Sequence, residues 1–318
     1  MNVADLIDDL LDRTVVLGYS RVGLAVRERL WSDLDPPADA LDGATVLVTG
    51  ANSGIGKALV AQLATRGATV LMTVRDRGRG EAARNEVLTA APDADVAVQV
   101  CDVSHLAAVR SFTGPLMQRY PRLDAIVHNA GVLPEQRTES AEGHELSLAT
   151  HVLGPVLLTE RLLPALAAAP DPRVVLMSSG GMYTQRLAVA DIEYRAGHYR
   201  GATAYARSKR IQVALTPLLA QRWSDQSLTV AAMHPGWADT PGIAHALPGF
   251  RRLARPILRT ADQAADTATW LLATSGAPAS GRFWHDRRIR PTHYLPWTCY
   301  TDDELQQVWQ YCAAAIGL

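Results

Sequence analysis

The hydrophobic pattern of the chain changes character near residue 40. From Ala44 onward, short β-branched or apolar runs recur at Ala44 to Thr49, Ala68 to Thr73, Val96 to Cys101, Leu123 to His128, Arg173 to Met177 and Leu228 to His234, with helical stretches between them. Near-continuous apolar strands alternating with helices predict an α/β fold, a single doubly wound parallel sheet built from right-handed βαβ units with helices on both faces. Ser280 to Trp284 is expected to add a last edge strand and Asp302 to Ala315 a closing helix. No second core is needed, so residues 41–318 read as one domain. Ahead of it, residues 1–40 read as an N-terminal helical extension of one or two amphipathic helices, with Leu6, Ile7, Leu10 and Leu11 on one side and an acidic cluster at Asp5, Asp8, Asp9 and Asp12. Pro36-Pro37 ends that segment. Two uses of the extension are open, packing on the main domain or contact with a membrane or partner through an interfacial helix, and the first is preferred.

Composition narrows the class. Hydrophobic residues make up 48% and charged residues 20% of 318, the balance of a soluble globular chain rather than a disordered or fibrous one. The formal net charge is −1 and no long Lys/Arg block occurs, so a nucleic-acid partner is disfavoured. Cys101, Cys299 and Cys312 are too few and too scattered for a disulfide framework, and they form no Cys/His cluster, so no metal site is expected and a reducing compartment fits. The start of the chain lacks a basic segment leading into an apolar one, and no apolar run reaches the roughly 18 residues of a membrane span. A cytoplasmic location is therefore expected; oligomeric state is left open, a homo-oligomer included.

The first strand runs into Thr49-Gly50-Ala51-Asn52-Ser53-Gly54-Ile55-Gly56 and then a helix. Gly50, Gly54 and Gly56 suit a tight turn and a close approach to phosphate, and the helix N-terminus offers free N–H groups to a pyrophosphate, with Asn52, Ser53 and Ile55 between them. A glycine trio alone also fits a merely structural turn; its place after the first strand favours the nucleotide. Seven residues beyond Gly67, Val74 stands where an NAD-preferring enzyme carries an acid for the ribose, and Arg75 follows it. A guanidinium grips a 2′-phosphate, so NADP(H) is favoured, with NAD(H) kept open because Asp76 is a competing ribose acid and Arg75 also reads as a solvated surface charge. Asp102, with Val103 beside it, follows the third strand as an adenine contact or a helix cap. Asn129-Ala130-Gly131 follows the fourth as a ribose-facing stretch or a simple turn.

Tyr205 and Lys209 stand four apart within a helical stretch, which puts them on one face. With Lys57 the only other lysine, a chance Tyr-x-x-x-Lys is not expected. A free phenol has a pKa of about 10, and a neighbouring ammonium lowers it toward working pH. In carbonyl reduction Tyr205 would give its proton to the substrate oxygen while Lys209 also holds ribose hydroxyls. Ser179, or its neighbour Ser178, would share the stabilisation of the developing charge. After the sixth strand, Pro235 and Gly236 bend the chain and Thr240 is a further cofactor contact. Residues 241–260 read as a substrate lid or an ordinary surface loop, and Leu247, Phe250 and Leu253 suggest a mostly apolar small-molecule substrate with a carbonyl or alcohol group.

Together, TGANSGIG at 49–56, Asn129-Ala130-Gly131, Ser179 and Tyr205-Ala206-Arg207-Ser208-Lys209 resemble the short-chain dehydrogenase/reductase family over about residues 44–285. Within it, VLMSSGGM at 175–182, MHPGWADTP at 233–241 and SGRFWHDR at 280–287 look like the subgroup called dehydrogenase/reductase member 12. The resemblance implies a Rossmann fold, NAD(P)-dependent oxidoreductase activity and a catalytic Ser179, Tyr205 and Lys209. One departure stands out: where the family has an asparagine that helps a water relay protons through the lysine, this chain has His151. His151 either replaces the asparagine in the relay, fills space, or marks a slower enzyme. The alternative function is an NADPH-binding sensor or interaction protein with weak or no turnover.

Overall fold

The computed structural model describes residues 3–31, 35–239 and 248–318. One sheet holds β1 (Thr45–Thr49), β2 (Thr69–Val74), β3 (Val96–Val100), β4 (Ala125–His128), β5 (Arg173–Met177), β6 (Thr229–Met233), β7 (Arg282–His285) and β8 (Arg288–Ile289), in the order β3-β2-β1-β4-β5-β6-β7-β8. The first seven strands run parallel, which is the doubly wound Rossmann-type sheet that the pattern predicts. Every residue of β5 and β6 is buried, because helices cover both faces and the apolar strand side chains enter one of two cores. On one side pack α4 (Gly54–Ala64) and α5 (Arg77–Ala90); on the other lie α6 (Leu106–Arg119), α8 (Gly154–Leu166) and α9 (Gly201–Arg222). The one-turn α7 (Leu146–Leu148) runs through a π-helical turn, Ala149–Leu153, into α8.

The edge of the sheet differs from expectation. Residues 282–285 form β7, which pairs with β6, and the edge is the antiparallel β8. The link is a two-residue hairpin at Asp286 and Arg287, both at positive φ (50° and 58°), where such turns ordinarily use Asn-Gly. Asp-Arg carries no such signal, so the second strand of the hairpin is invisible in sequence.

The extension folds as three helices, α1 (Val3–Arg13), α2 (Val15–Tyr19) and α3 (Arg21–Glu28), where one or two are expected. Ser20 makes the extra break by capping α3, its hydroxyl accepting the Gly23 N–H at 3.4 Å. The extension packs on the main domain with its acidic side inward: Asp8 and Asp12 are buried while Leu6 and Leu10 are exposed. Arginines explain the inversion. Asp8 receives Arg27 at 2.7 Å and both terminal nitrogens of Arg290 at 2.7 and 2.9 Å; Arg27 also reaches Asp286 at 2.6 Å. Arg259 grips the same Asp286 through two bonds of 2.6 and 2.8 Å. Burial opposes ionisation of Asp286, but His285, Arg259 and Arg27 outweigh it and hold the carboxyl well below the usual range.

The expected lid is largely another structure. Residues 240–247, Thr240 and Leu247 among them, and the Phe250 side chain lie outside what is described. Beyond them come α10 (Pro248–Ala254) and a 3-10 turn (Arg255–Ile257), followed by the buried Arg259. Leu253 is 86% exposed, so it lends no apolar wall to a substrate. Then α11 (Ala261–Ala273) packs on α4, and α12 (Asp302–Ile316) closes the chain behind a capping box at Thr301 and Glu304. No helix among the described residues is long and apolar enough to cross a membrane.

Removing one member of a buried ion network leaves the others charged and unpaired. Asp286→Ala, which leaves Arg259 without a carboxylate and Arg27 with Asp8 as its close partner, is expected to cost about 3–5 kcal/mol of stability in urea unfolding; a loss under about 1 kcal/mol would show that water reaches the site.

Candidate active site

A cleft of about 650 Å³ opens at the carboxyl ends of β1, β4, β5 and β6. Its floor is the turn after β1. Gly50 has φ +65°, and a Cβ there would stand 2.7 Å from the Ala130 Cα, so only glycine lets the two loops touch. The Asn129 amide donates to the Thr49 and Gly50 carbonyls at 3.0 and 3.1 Å, while the Thr49 hydroxyl accepts the Asn129 and Ala130 N–H groups at 3.1 and 3.0 Å. Asn129-Ala130-Gly131 is thus stitched to the glycine turn rather than standing as a separate bend. Ser53 caps α4 in extended conformation without spending its hydroxyl, so the first N–H groups of the helix remain free beside Asn52, Ser53, Gly54, Ile55 and Gly56, all of which line the cleft.

Val74, Arg75 and Asp76 line the wall beyond β2. The Asp76 carboxylate is the N-cap of α5, one of its oxygens accepting the Arg79 N–H at 2.7 Å. Arg79, one turn on from Arg75, lines the same wall, and among the described residues neither guanidinium has an ion-pair partner. The sequence reading passes over Arg79; its spacing of four from Arg75 was the available signal. Asp102 also lines the cleft with Val103, but one of its oxygens accepts both the N–H and the hydroxyl of Ser104, at 2.9 and 2.7 Å, and so caps its own turn.

At the other end of the cleft stand Ser179 and Tyr205. Ser178, the alternative serine, is buried with its hydroxyl donated to the Lys209 carbonyl at 3.0 Å. Ser179 caps the 3-10 turn Gly180–Thr184, accepts the Gly181 N–H at 3.3 Å and has its side chain beside the Tyr205 phenol. Burial pushes that phenol above its usual pKa, and the Ser179 side chain opposes the shift. Lys209 lies beneath, its Nζ 5.6 Å from the Tyr205 ring centre and donating to the Met177 carbonyl at 2.6 Å. Buried without a carboxylate partner among the described residues, the amine is pushed down to about 7.

His151 does not reach the cleft. It sits in the π turn, fully buried, its ring edge-on to Tyr205 at 5.2 Å between centres. Nε2 accepts the Val132 N–H at 3.0 Å, which leaves the proton on Nδ1 for the Ser208 hydroxyl at 2.7 Å; that hydroxyl in turn donates to the Tyr205 carbonyl at 2.8 Å. Burial, with the Lys209 charge nearby, holds the imidazole far below its ordinary pKa and therefore neutral. The carbonyl of His151 accepts the Gln212 amide at 2.6 Å.

Pro235 and Gly236 line the cleft after β6, with Gly236 at φ +79° against the Arg259 side chain. His234 and Trp237, on either side of this bend, line the cleft too, and His234 Nδ1 accepts the Gly180 N–H at 3.0 Å.

Residues 44–247 match the family model of the short chain dehydrogenase. The human protein named dehydrogenase/reductase SDR family member 12 is 38% identical over 257 residues, 80% of this chain and 80% of its own length. Human retinol dehydrogenase 12 is 33% identical over 77% of this chain and 78% of that protein. Among solved structures, a short-chain dehydrogenase/reductase from Serratia marcescens superposes with a TM-score of 0.61 at 25% identity, covering 77% of this chain and 96% of that one. The chain belongs to the short-chain dehydrogenase family and is an NAD(P)-dependent oxidoreductase.

Proposed function

We propose that the chain transfers hydride between NADP(H) and the carbonyl or alcohol group of a mostly apolar small molecule, working as a reductase with Tyr205 as general acid. The observation that carries this reading is that Ser179 and Tyr205 meet, with Lys209 beneath, at one end of a glycine-floored cleft whose other end bears Arg75 and Arg79. The cleft fits a dinucleotide: the Gly50 turn leaves no Cβ in the way, the α4 N-terminus offers free N–H groups, and two guanidinium groups without an ion-pair partner among the described residues suit a 2′-phosphate. Such a cofactor, when bound, supplies the hydride. Tyr205 then donates its phenolic proton to the carbonyl oxygen, and the Ser179 hydroxyl holds the same oxygen as charge develops on it. The Lys209 amine, one helical turn along from Tyr205 and donating to the Met177 carbonyl, supports the phenol from below. Burial favours the neutral phenol, which is the form that reduction needs. A retinol dehydrogenase among the relatives supports an apolar substrate, since that name denotes a long hydrocarbon alcohol.

Tyr205→Phe tests the reading directly. In an assay of NADPH oxidation over aldehydes and ketones, retinal included, it should lose at least about a hundredfold in kcat; full activity in the variant would defeat the mechanism. The pH dependence has a definite sign. With the phenol pKa raised above 10, reduction should not fall between pH 6 and about 9 through loss of the Tyr205 proton, whereas oxidation of the matching alcohol should climb with pH because it needs the phenolate.

Arg75→Ala and Arg79→Ala should each weaken NADPH binding by about tenfold while changing NADH affinity by less than about twofold, as titration of cofactor fluorescence would read. Equal losses for both nucleotides would remove the phosphate argument. His151→Asn, too short to keep both the Val132 and Ser208 bonds, should lower both turnover and melting temperature; a many-fold rise in turnover would instead mark the native chain as a compromised catalyst.

A further inference from the structure

Tyr19 belongs to the extension, outside the residues covered by the family match, yet it is only 3% exposed and stands directly behind the catalytic end of the cleft. Its ring meets His234, His285 and Trp237 edge-on, with centres 4.4, 5.2 and 6.1 Å away. Three consecutive carbonyls of this segment are bound by the main domain: Gly18 and Ser20 accept from Arg259 at 3.1 and 3.3 Å, and Tyr19 accepts the Trp237 N–H at 2.8 Å. The extension is therefore fixed in register against the loop that follows β6.

His234 transmits that contact. Its Nδ1 accepts the N–H of Gly180, the residue after Ser179, so a neutral ring carries its proton on Nε2, where no hydrogen-bond partner is found among the described residues. The orientation of the imidazole then depends on packing, against Tyr19 on one side and stacked on His285 at 4.7 Å on another. There is no slack: a Cβ at Gly180 would lie 2.7 Å from Tyr19 Cε2 and 2.9 Å from His234 Nε2.

We propose that Tyr19 is a positioning residue of the reaction, holding the His234 ring, through it the Gly180 amide, and so the Ser179 hydroxyl opposite the Tyr205 phenol. The proposal rests on the roles given above to Ser179 and Tyr205. It gives the extension a task that residues 44–247 cannot perform alone, and it uses the ring of Tyr19 rather than its hydroxyl.

The test uses the full chain with Tyr19→Phe and Tyr19→Ala, measuring kcat and KM for NADPH-dependent reduction of all-trans-retinal, NADPH affinity, and deuterium uptake by the peptide spanning Ser178 to Tyr183. Tyr19→Phe should stay within about twofold of the parent in every readout. Tyr19→Ala should lose about tenfold or more in kcat, keep NADPH affinity within about threefold, and exchange the Gly180 amide about tenfold faster, since small displacements of positioned groups are costly to rate. Its alkaline limb for alcohol oxidation should also move to higher pH, because a loosened Ser179 no longer favours the phenolate. If Tyr19→Ala does not fold, His234→Asn, which keeps an acceptor for Gly180, and His234→Leu, which does not, carry the same comparison. Unchanged kcat or unchanged Gly180 exchange in Tyr19→Ala overturns the proposal. Activity surviving Tyr205→Phe sinks the functional reading instead, and the exchange measurement still decides whether Tyr19 holds the loop.

Discussion

The site depends first on the hydrogen bonds that join Asn129 to the turn after β1. β1 and β4 are neighbours in the sheet although two βα units separate them in the chain, and at that reversal of winding the connecting loops part to leave a crevice. A crevice between loops would be loosely defined if the loops were independent. Here the Asn129 side chain ties the end of β4 to the carbonyls of Thr49 and Gly50, and the Thr49 hydroxyl returns two bonds to the Asn129 loop. The close approach at Gly50 follows from that stitching, and with it the floor on which a pyrophosphate would rest.

Around this floor the fold assembles polar groups under conditions that keep them uncharged. His128, His151, His234 and His285 are all buried, with pKa values pushed down by desolvation, to about 3 for His128 and about 4 for His285. Lys209 is drawn toward neutrality and Tyr205 toward its protonated form by the same cause. Neutral imidazoles have one donor and one acceptor each, so they serve as spacers of fixed geometry: His151 between Val132 and Ser208, His234 beneath Gly180. Charge is concentrated elsewhere, on the arginines of the cleft wall and in the network around Asp286.

How much of this was legible in the sequence varied with the physics behind each feature. The strands were plain because a sheet covered on both faces demands unbroken apolar runs, and the glycine turn and the Tyr205 to Lys209 spacing were plain because both are local. What depends on long-range pairing was not. Asp76 and Arg75 read as rival claims on the ribose, and the helix-capping bond of Asp76 became evident only with the start of α5. For His151 sequence reports the residue type but not its partners, because the ring's bonds to Val132 and Ser208 come from distant parts of the chain. The hairpin at Asp286 and Arg287 lacked the turn residues that would have advertised it.

The extension gives the clearest case of pattern overruled by partner. Its helix α1 has a leucine-rich side and an acidic side, and water would ordinarily take the acids. The surface it meets is lined by Arg290 and Arg259 around Asp286, with Arg27 arriving from α3, so the acids go in and Leu6 and Leu10 stay out. Buried ion pairs are poor sources of net stability, because desolvation offsets most of the attraction. Their geometry is nevertheless selective. An apolar interface tolerates sliding by a turn, whereas the pairs that cross it, Arg290 on Asp8 and Arg27 on Asp286, would be broken by such a shift. That register sets Gly18 to Ser20 against Arg259 and Trp237, at the wall of the cleft. An extension held by greasy contact alone would cover the domain; one held by guanidinium forks can align it.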